Sequence, residues 1–498
     1  MVRLVGLHLQ YQGCRCHTSL SKHWARYTMN FNGINIPQKL VPHNYLQLGL
    51  AAQRGRQRQL KELLEKRKLP EHGWRDEEIE ELVHQLAALD SNNFAHNVGL
   101  GEREARIACK LVARRHYNFG HGIGRSGDLL EAQPKAAGST LLASLTNALL
   151  LDLMKMLGLQ SCRGCFLVPL ATGMTLTLCL QALRKRRPNA KYVLWSRIDQ
   201  KSCFKAITAA GLQPIVIPVQ VLAHECTLVT DCGQFEQRIR ELGAANILCL
   251  YSTTSCFAPR NCDSVVELAK LAKSAAVPHL VNNAYGLQCE DITGQLERAQ
   301  RVGRIDYVVQ STDKNLLVPV GGAIVASCDE QLLQHLASSY AGRASSSQTL
   351  DVFMTLLSLG RSGYQALLRE RRQNFQYLKQ RLQQFAAEHG EIVPQSTFNQ
   401  ISLALTVSTL RRLGEEEHSV TQLGAMLHSR GVSGVRVVPV GQTKSIDGYE
   451  FKHFGSHHEL MEMPYLTVAA ALGIRRPEID KFFEILDKCW TLLKKAPA

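Results

Sequence analysis

Val308-Val309-Gln310-Ser311-Thr312-Asp313-Lys314-Asn315 is the stretch whose reading decides the fold. An apolar run of strand character ends in Ser-x-x-Lys, and Pro319-Val320-Gly321-Gly322-Ala323-Ile324-Val325 follows at once. A lysine at the rim of a strand is expected to sit partly desolvated. Its amine then sheds its proton more readily and can form a Schiff base. The plainer alternative is a solvated surface charge, and context has to separate the two.

Two further stretches supply that context. Phe166-Leu167-Val168-Pro169-Leu170-Ala171-Thr172-Gly173 reads as a strand, a turn and a helix start. Small residues at such a turn let backbone N–H groups approach an anion, and the helix N-terminus adds positive potential for a phosphate. Pro278-His279-Leu280-Val281-Asn282-Asn283-Ala284-Tyr285-Gly286 reads as a short strand ending in polar residues. Phosphate turn, polar strand end and lysine strand come in the order seen in pyridoxal-phosphate (PLP) enzymes of the aminotransferase-like class. On that reading Ala171, Thr172, Gly173 and Ser311 face the cofactor phosphate. Asn282 takes the place usually held by an acid facing the pyridine nitrogen. An amide cannot hold a pyridinium charge as a carboxylate does, so the cofactor should be a weaker electron sink.

Composition fits a large enzyme. The chain has 498 residues, 20% charged and 45% hydrophobic, an ordinary globular balance with length for more than one domain. No uninterrupted apolar run approaches the roughly 20 residues that span a bilayer, so no membrane partner is expected. The net charge of +15 favours a polyanionic partner such as nucleic acid. Fifteen cysteines are scattered, and Cys162-x-x-Cys165 has no partner pair, so free thiols are expected and no metal. No Asp or Glu precedes Glu62, while Arg3, Arg15, Lys22, Arg26 and Lys39 do. Such starts resemble mitochondrial transit peptides. With little Ser and no clean amphipathic helix, residues 1–28 read instead as an upstream extension, with Met29 an equally natural start.

From about 140 to 330, apolar strand-like runs alternate with helical patterns, as in Tyr192-Val193-Leu194-Trp195, Pro214-Ile215-Val216-Ile217 and Ile247-Leu248-Cys249-Leu250-Tyr251. The pattern predicts an α/β fold with a mainly parallel sheet and flanking helices, ligands collecting beyond the carboxyl ends of the strands. Residues 57–67 and 76–89 read as N-terminal helices, and 350–385 as long helices. Ile401-Ser402-Leu403-Ala404-Leu405 and Val435-Arg436-Val437-Val438-Pro439 read as strands of a smaller C-terminal α+β domain.

Ahead of that core lie His116-Tyr117-Asn118-Phe119-Gly120-His121-Gly122-Ile123-Gly124-Arg125-Ser126-Gly127-Asp128 and Gln133-Pro134-Lys135-Ala136-Ala137-Gly138. Gly122-x-Gly124-x-x-Gly127 matches a dinucleotide fingerprint. No apolar strand precedes it and no acid follows about 20 positions on, so a dinucleotide site is rejected. What remains is a glycine-rich loop carrying Arg125, Ser126, Gln133 and Lys135. It suits a second phosphate or, equally, a basic surface loop.

These strings, together with Gly101-Glu102-Arg103-Glu104, Arg197-Ile198-Asp199-Gln200-Lys201, Ser252-Thr253-Thr254-Ser255-Cys256-Phe257-Ala258-Pro259-Arg260 and Gly342-Arg343-Ala344-Ser345, closely resemble the O-phosphoseryl-tRNA(Sec):selenium transferase family over roughly residues 57–490. The resemblance implies a cytoplasmic, homotetrameric PLP enzyme of fold type I. It would act on tRNA(Sec) carrying O-phosphoserine and use selenophosphate to make selenocysteinyl-tRNA through dehydroalanyl-tRNA. It places the Schiff base on Lys314 and Arg103 by the cofactor. Arg125, Ser126, Gln133, Lys135 and Arg343 fall around the substrate phosphate, and Glu102 at a filter against free carboxylates. Arg301, Arg430 and Lys494 fall on the tRNA surface. The implied divisions are a tetramerisation segment at 29–72, a catalytic domain at 73–345 and a small domain at 346–498. Two other readings stay open here: a PLP lyase acting on free amino acids, and a tRNA-binding scaffold without catalysis.

Overall fold

The computed structural model describes residues 28–31, 34–37, 41–222, 226–411 and 418–495, so all but the last residue of the expected extension at 1–28 lies outside it. The chain divides after Lys66 into two compact units. In the first, β1 (Thr28–Phe31) and β2 (Ile34–Pro37) form an antiparallel hairpin, and a helix runs over His43–Lys66. Helix formers such as Leu46, Leu48, Leu50, Ala51 and Ala52 carry that helix well before the expected residue 57.

The second unit is built on nine strands and a C-terminal layer. In chain order the strands are β3 (Gly164–Val168), β4 (Tyr192–Ser196), β5 (Gln213–Ile217), β6 (Val219–Leu222), β7 (Thr227–Thr230), β8 (Ile247–Thr253), β9 (His279–Asn282), β10 (Tyr307–Ser311) and β11 (Ala323–Ser327). β6 and β7 pair as a separate hairpin. The other seven form one sheet in the order β3-β11-β10-β9-β8-β4-β5, in which β11 alone runs against its neighbours. Helices cover both faces, which is why β8, β9, β10 and β11 are buried along their whole length and read as apolar runs. The register sets Ser311 opposite Ala323, Ala323 opposite Val168 and Val309 opposite Asn282. The carboxyl ends of β3, β9 and β10 therefore lie side by side, with the residues of the expected site at that edge.

The helix Ala137–Met156 is long and apolar enough by length and composition to cross a membrane, although Asp152 and Lys155 interrupt its apolar run. Leu142, Leu149, Leu150, Leu153 and Met154 are instead fully buried along it. A long helix follows the sheet over Ser347–His389 and breaks at Gly360, whose φ is 59°. The break receives the segment after Leu69: Arg361 N–H donates to the Pro70 carbonyl, Ser362 N–H to Glu71 and Trp74 N–H to Leu357. A Cβ on Gly73 would lie 1.9 Å from the Ser358 carbonyl oxygen, so glycine is required for that close approach.

Beyond the helix, β12 (Ser402–Thr406) and β13 (Arg436–Val438) flank β16 (Tyr465–Ala469) in an antiparallel sheet. The helices His418–Ser429 and Arg476–Lys495 enclose a second core around Leu423, Leu486 and Trp490. The hairpin of β14 (Lys444–Ile446) and β15 (Tyr449–Phe451) returns to the main core, where Phe451 meets Phe204 edge-on at 5.0 Å.

Two buried polar centres hold these parts together. Asp263 accepts from Ser196 Oγ (2.7 Å), Thr230 Oγ1 (2.8 Å), Arg260 Nη2 (2.9 Å) and Thr253 N–H (2.6 Å). Asp199 pairs with Arg197 and accepts from the backbone of Gly455 and His457, while His457 Nδ1 accepts from Asp199 N–H. Removing one partner of a buried pair strands the other charge. Asp263→Ala should therefore cost about 3–5 kcal/mol in a denaturant melt. Burial holds His279 and His457 down to about 4 from the ordinary 6.5, so both are neutral in the fold. The unfolded chain binds more protons below 6.5, so their stabilisation is complete above that pH and is lost as pH falls toward 4. Melting temperature should drop through that window, and less steeply in His279→Gln.

Candidate active site

Lys314 lies not on a strand but at the third residue of a short helix, Thr312–Leu316, that starts as β10 ends. Its side chain is exposed in the single chain, which corrects the expectation of partial desolvation. Its own backbone is fixed, since Gln288 Nε2 donates to the Lys314 carbonyl and Asn315 Nδ2 to those of Ser311 and Ala284.

The strand, turn and helix start expected over Phe166 to Gly173 form as the sequence predicts. A helix begins at Thr172 and runs to Arg186, Ala171 occupies the N-cap position, and no side chain caps it. The first N–H groups of the helix are thus left for another acceptor. Thr172 Oγ1 donates to Ser311 Oγ (2.9 Å), which donates to Asp313 Oδ1 (2.5 Å). Asn282 is buried at the end of β9; its Nδ2 donates to Cys203 Sγ (3.2 Å) and its Oδ1 accepts from Ala284 N–H (3.2 Å). Lys314 is close enough to Cys203 to act on it electrostatically, which ties the lysine to the Asn282 end of the site.

The glycine-rich loop follows a helix, Lys110–Arg115, and no strand leads into it, in keeping with rejection of a dinucleotide fingerprint. Gly122, Gly124 and Gly127 have φ of 71°, 73° and 98°, and Ser126 has 32°. A Cβ on Gly122 would lie 2.3 Å from the Ala344 carbonyl oxygen, so the loop can press against the 342–344 segment only with glycine there. Ile123 and Ala344 exchange backbone hydrogen bonds at 2.8 and 3.1 Å, and Gly127 N–H donates to the Gly342 carbonyl. That bridge brings Arg343 beside the loop, more than two hundred positions away in the chain. Arg343 Nε and Nη2 are buried and have no partner among the described residues. Burial, and then the nearby Arg103 cation, lowers the pKa of this guanidinium. Two cations brought together with buried N–H groups unpaired describe a cradle for an anion.

The other expected residues are placed less uniformly. Gln133 N–H donates to Thr140 Oγ1, and Gln133 Oε1 accepts from Lys135 N–H. Arg125 is exposed and reaches Glu131 at 3.2 Å. Lys135 Nζ is paired at 2.5 Å with the buried Glu104, whose carboxyl that bond holds below its ordinary range. Glu102 is exposed, so Glu104 is the acid that faces the loop within this chain. Nothing in the spacing separates Glu102 from Glu104; the pairing with Lys135 does. His121 and Asp90 also belong to this cluster, and sequence reading gave neither a role. Arg301, on the helix Glu290–Val302, pairs with Glu297 at 2.7 Å. Arg430 and Lys494 are exposed on the C-terminal layer, where Arg430 acts electrostatically on Cys489 of the last helix. Among the described residues no group of His, Cys, Asp and Glu could hold a metal.

Comparison with known proteins agrees with this geometry. Residues 89–491 match the model of the O-phosphoseryl-tRNA(Sec) selenium transferase family, SepSecS. The chain is 44% identical over 476 residues to the O-phosphoseryl-tRNA(Sec) selenium transferase of Dictyostelium discoideum, covering 92% of this chain and 99% of that one. It superposes with a TM-score of 0.82 and 29% identity on the crystal structure of archaeal O-phosphoseryl-tRNA(Sec) selenium transferase, covering 92% and 99%. Similarity to Oryza sativa TDC with PLP and tryptamine, at a TM-score of 0.56 and 13% identity, concerns the fold alone, fold type I of the PLP-dependent transferases. The chain belongs to the O-phosphoseryl-tRNA(Sec) selenium transferase family.

Proposed function

We propose that this chain converts O-phosphoseryl-tRNA(Sec) to selenocysteinyl-tRNA(Sec), with PLP as cofactor and selenophosphate as selenium donor. The observation that carries the reading is the presence of two separate groups of unpaired donors: the uncapped helix start at Thr172, whose hydroxyl bonds Ser311 just before Lys314, and the buried Arg343 nitrogens beside the glycine-rich loop. One suits the phosphate of a cofactor and the other the phosphate of a substrate.

The residues present fit PLP. The N-terminal N–H groups at Ala171, Thr172 and Gly173, with the Thr172 and Ser311 hydroxyls, supply donors for its phosphate. The Asn282 amide gives one N–H to Cys203 and keeps a second for a ring nitrogen. Arg103 adds positive charge beside Arg343. When bound, PLP withdraws electrons from the α-carbon of an attached amino acid. Lys314 would hold the cofactor, and its free amine would take the α-proton as general base. Arg343, Arg125, Ser126 and Gln133 hold the departing phosphate and offset its charge. Lys135 joins them if the incoming phosphate draws it from Glu104. Glu102 repels substrates with a free carboxylate, and esterification to tRNA removes that carboxylate.

The net charge of +15 suits a tRNA partner, with Arg301, Arg430 and Lys494 on its docking surface. A cytoplasmic homotetramer, with 29–72 joining dimers, completes the reading, beside a catalytic domain at 73–345 and a small domain at 346–498.

Phosphate release from O-phosphoseryl-tRNA(Sec) and from free O-phosphoserine, with PLP and selenophosphate present, tests the proposal. Release from the charged tRNA alone is expected. Release from the free amino acid would make the chain an ordinary lyase, and silence from both would make it a scaffold. Lys314→Ala should abolish turnover, and wild-type rates in that variant would overturn its role. Arg343→Gln should lower kcat/KM by about a hundredfold, reflecting loss of a charge-assisted contact made in the transition state.

A further inference from the structure

His121 is buried at the entrance to the glycine-rich loop, and its Nδ1 is shielded from solvent with no partner among the described residues. Its other nitrogen, Nε2, is held at 3.1 Å by Ser91 Oγ. Ser91 N–H in turn donates to the Lys135 carbonyl, and the next residue after His121 is the glycine pressed against Ala344. The imidazole is thus fixed by one nitrogen while the other is left unpaired, and Arg343, whose own nitrogens are unpaired, lies on the segment pressed against Gly122 and acts on the ring electrostatically. A buried ring nitrogen without a partner is costly unless a ligand supplies one.

The proposed reaction calls for such a group. Phosphate departing from a dianionic ester would leave as a trianion unless its bridging oxygen gained a proton. Lys314 takes the α-proton from the neighbouring carbon, whereas the departing oxygen belongs to the phosphate held at Arg343, so a donor on that side spares Lys314 a second role. We propose that His121 is the proton donor to the departing phosphate, a role that rests on the reading of the Arg343 cradle as the substrate-phosphate site. The Cβ–O bond breaks and its electron pair goes to oxygen. The Cα–H pair becomes the Cα=Cβ bond as that proton passes to the Lys314 amine. Nδ1–H of the imidazolium protonates the oxygen, so hydrogen phosphate leaves and a neutral imidazole remains.

The charges around His121 suit this cycle. Burial first, and then Arg343 and Lys135 working against Asp90 and Glu104, lowers its pKa. An arriving phosphate dianion offsets the two cations and restores the proton.

The test uses the PLP-loaded full chain and two substrates, O-phosphoseryl-tRNA(Sec) and β-chloroalanyl-tRNA(Sec). Chloride leaves without a proton, so it bypasses the donor. His121→Gln should slow phosphate release by about a hundredfold or more, the range for losing a general acid. It should leave chloride release and the cofactor absorbance at wild-type values. Equal losses with both leaving groups would show a merely structural role, and wild-type phosphate release would overturn the proposal outright. If His121→Gln fails to fold, His121→Asn with the same substrate pair decides in the same way. Wild-type enzyme that releases no phosphate from phosphoseryl-tRNA would instead overturn the reading of the function itself.

Discussion

The Asp263 carboxylate, buried and shared among four donors, is the interaction on which the rest of this structure depends. Those donors come from the end of β4, the end of β7, the end of β8 and the turn carrying Arg260. Burial by itself would lower the Arg260 pKa, but the Asp263 charge beside it carries the value above the ordinary range. The guanidinium also donates to the Arg197 and Asn261 carbonyls, so no charge in the centre is left unpaired. Satisfied at each position, such a network specifies one arrangement of strand ends; half-satisfied, it would cost more than an apolar core.

From that fixed edge the site follows. Residues after Thr253 turn back beneath β9, where Thr254 Oγ1 donates to Asn283 and Tyr285 N–H donates to Ser255 Oγ. Asn282 is thereby held at the end of β9, next to the strand that delivers Ser311 and Lys314. The Asp199 centre does the same for the C-terminal layer, drawing Gly455 and His457 onto the end of β4. Rigid strand ends carry Asn282 and Ser311, whereas the surroundings of Arg343 are built from loops with left-handed glycines. That division suits a site in which one anion stays and the other must leave.

Much of this was legible in the sequence. The strands around 166, 192, 247, 280 and 308 are buried on both faces, so each reads as an unbroken apolar run, the edge strand around 214 is only partly covered, and alternation with helices predicts the parallel sheet. The helix start at Thr172 and the glycine-rich loop carry local chemistry, and local chemistry survives without tertiary contacts. The reversed direction of β11 was not legible, because a buried strand has the same composition whichever way it runs. The hairpins β6–β7 and β14–β15 were also missed, being too short for a period to show. The partial desolvation expected of Lys314 was wrong for the single chain, since exposure depends on what covers a strand end and not on the strand.

The sequence by itself determined the class of fold and the positions of the strand ends and turns that carry Thr172, Asn282 and Lys314, because each is a pattern within about ten residues. Only the tertiary structure decided that Arg343 and His121 share one cradle, that Glu104 rather than Glu102 holds Lys135, and that Asp263 and Asp199 anchor the strand ends. Those pairings join residues far apart in the chain. Their physical basis is burial: a charge removed from water must find its partner wherever the fold brings one, and sequence spacing carries no record of that meeting.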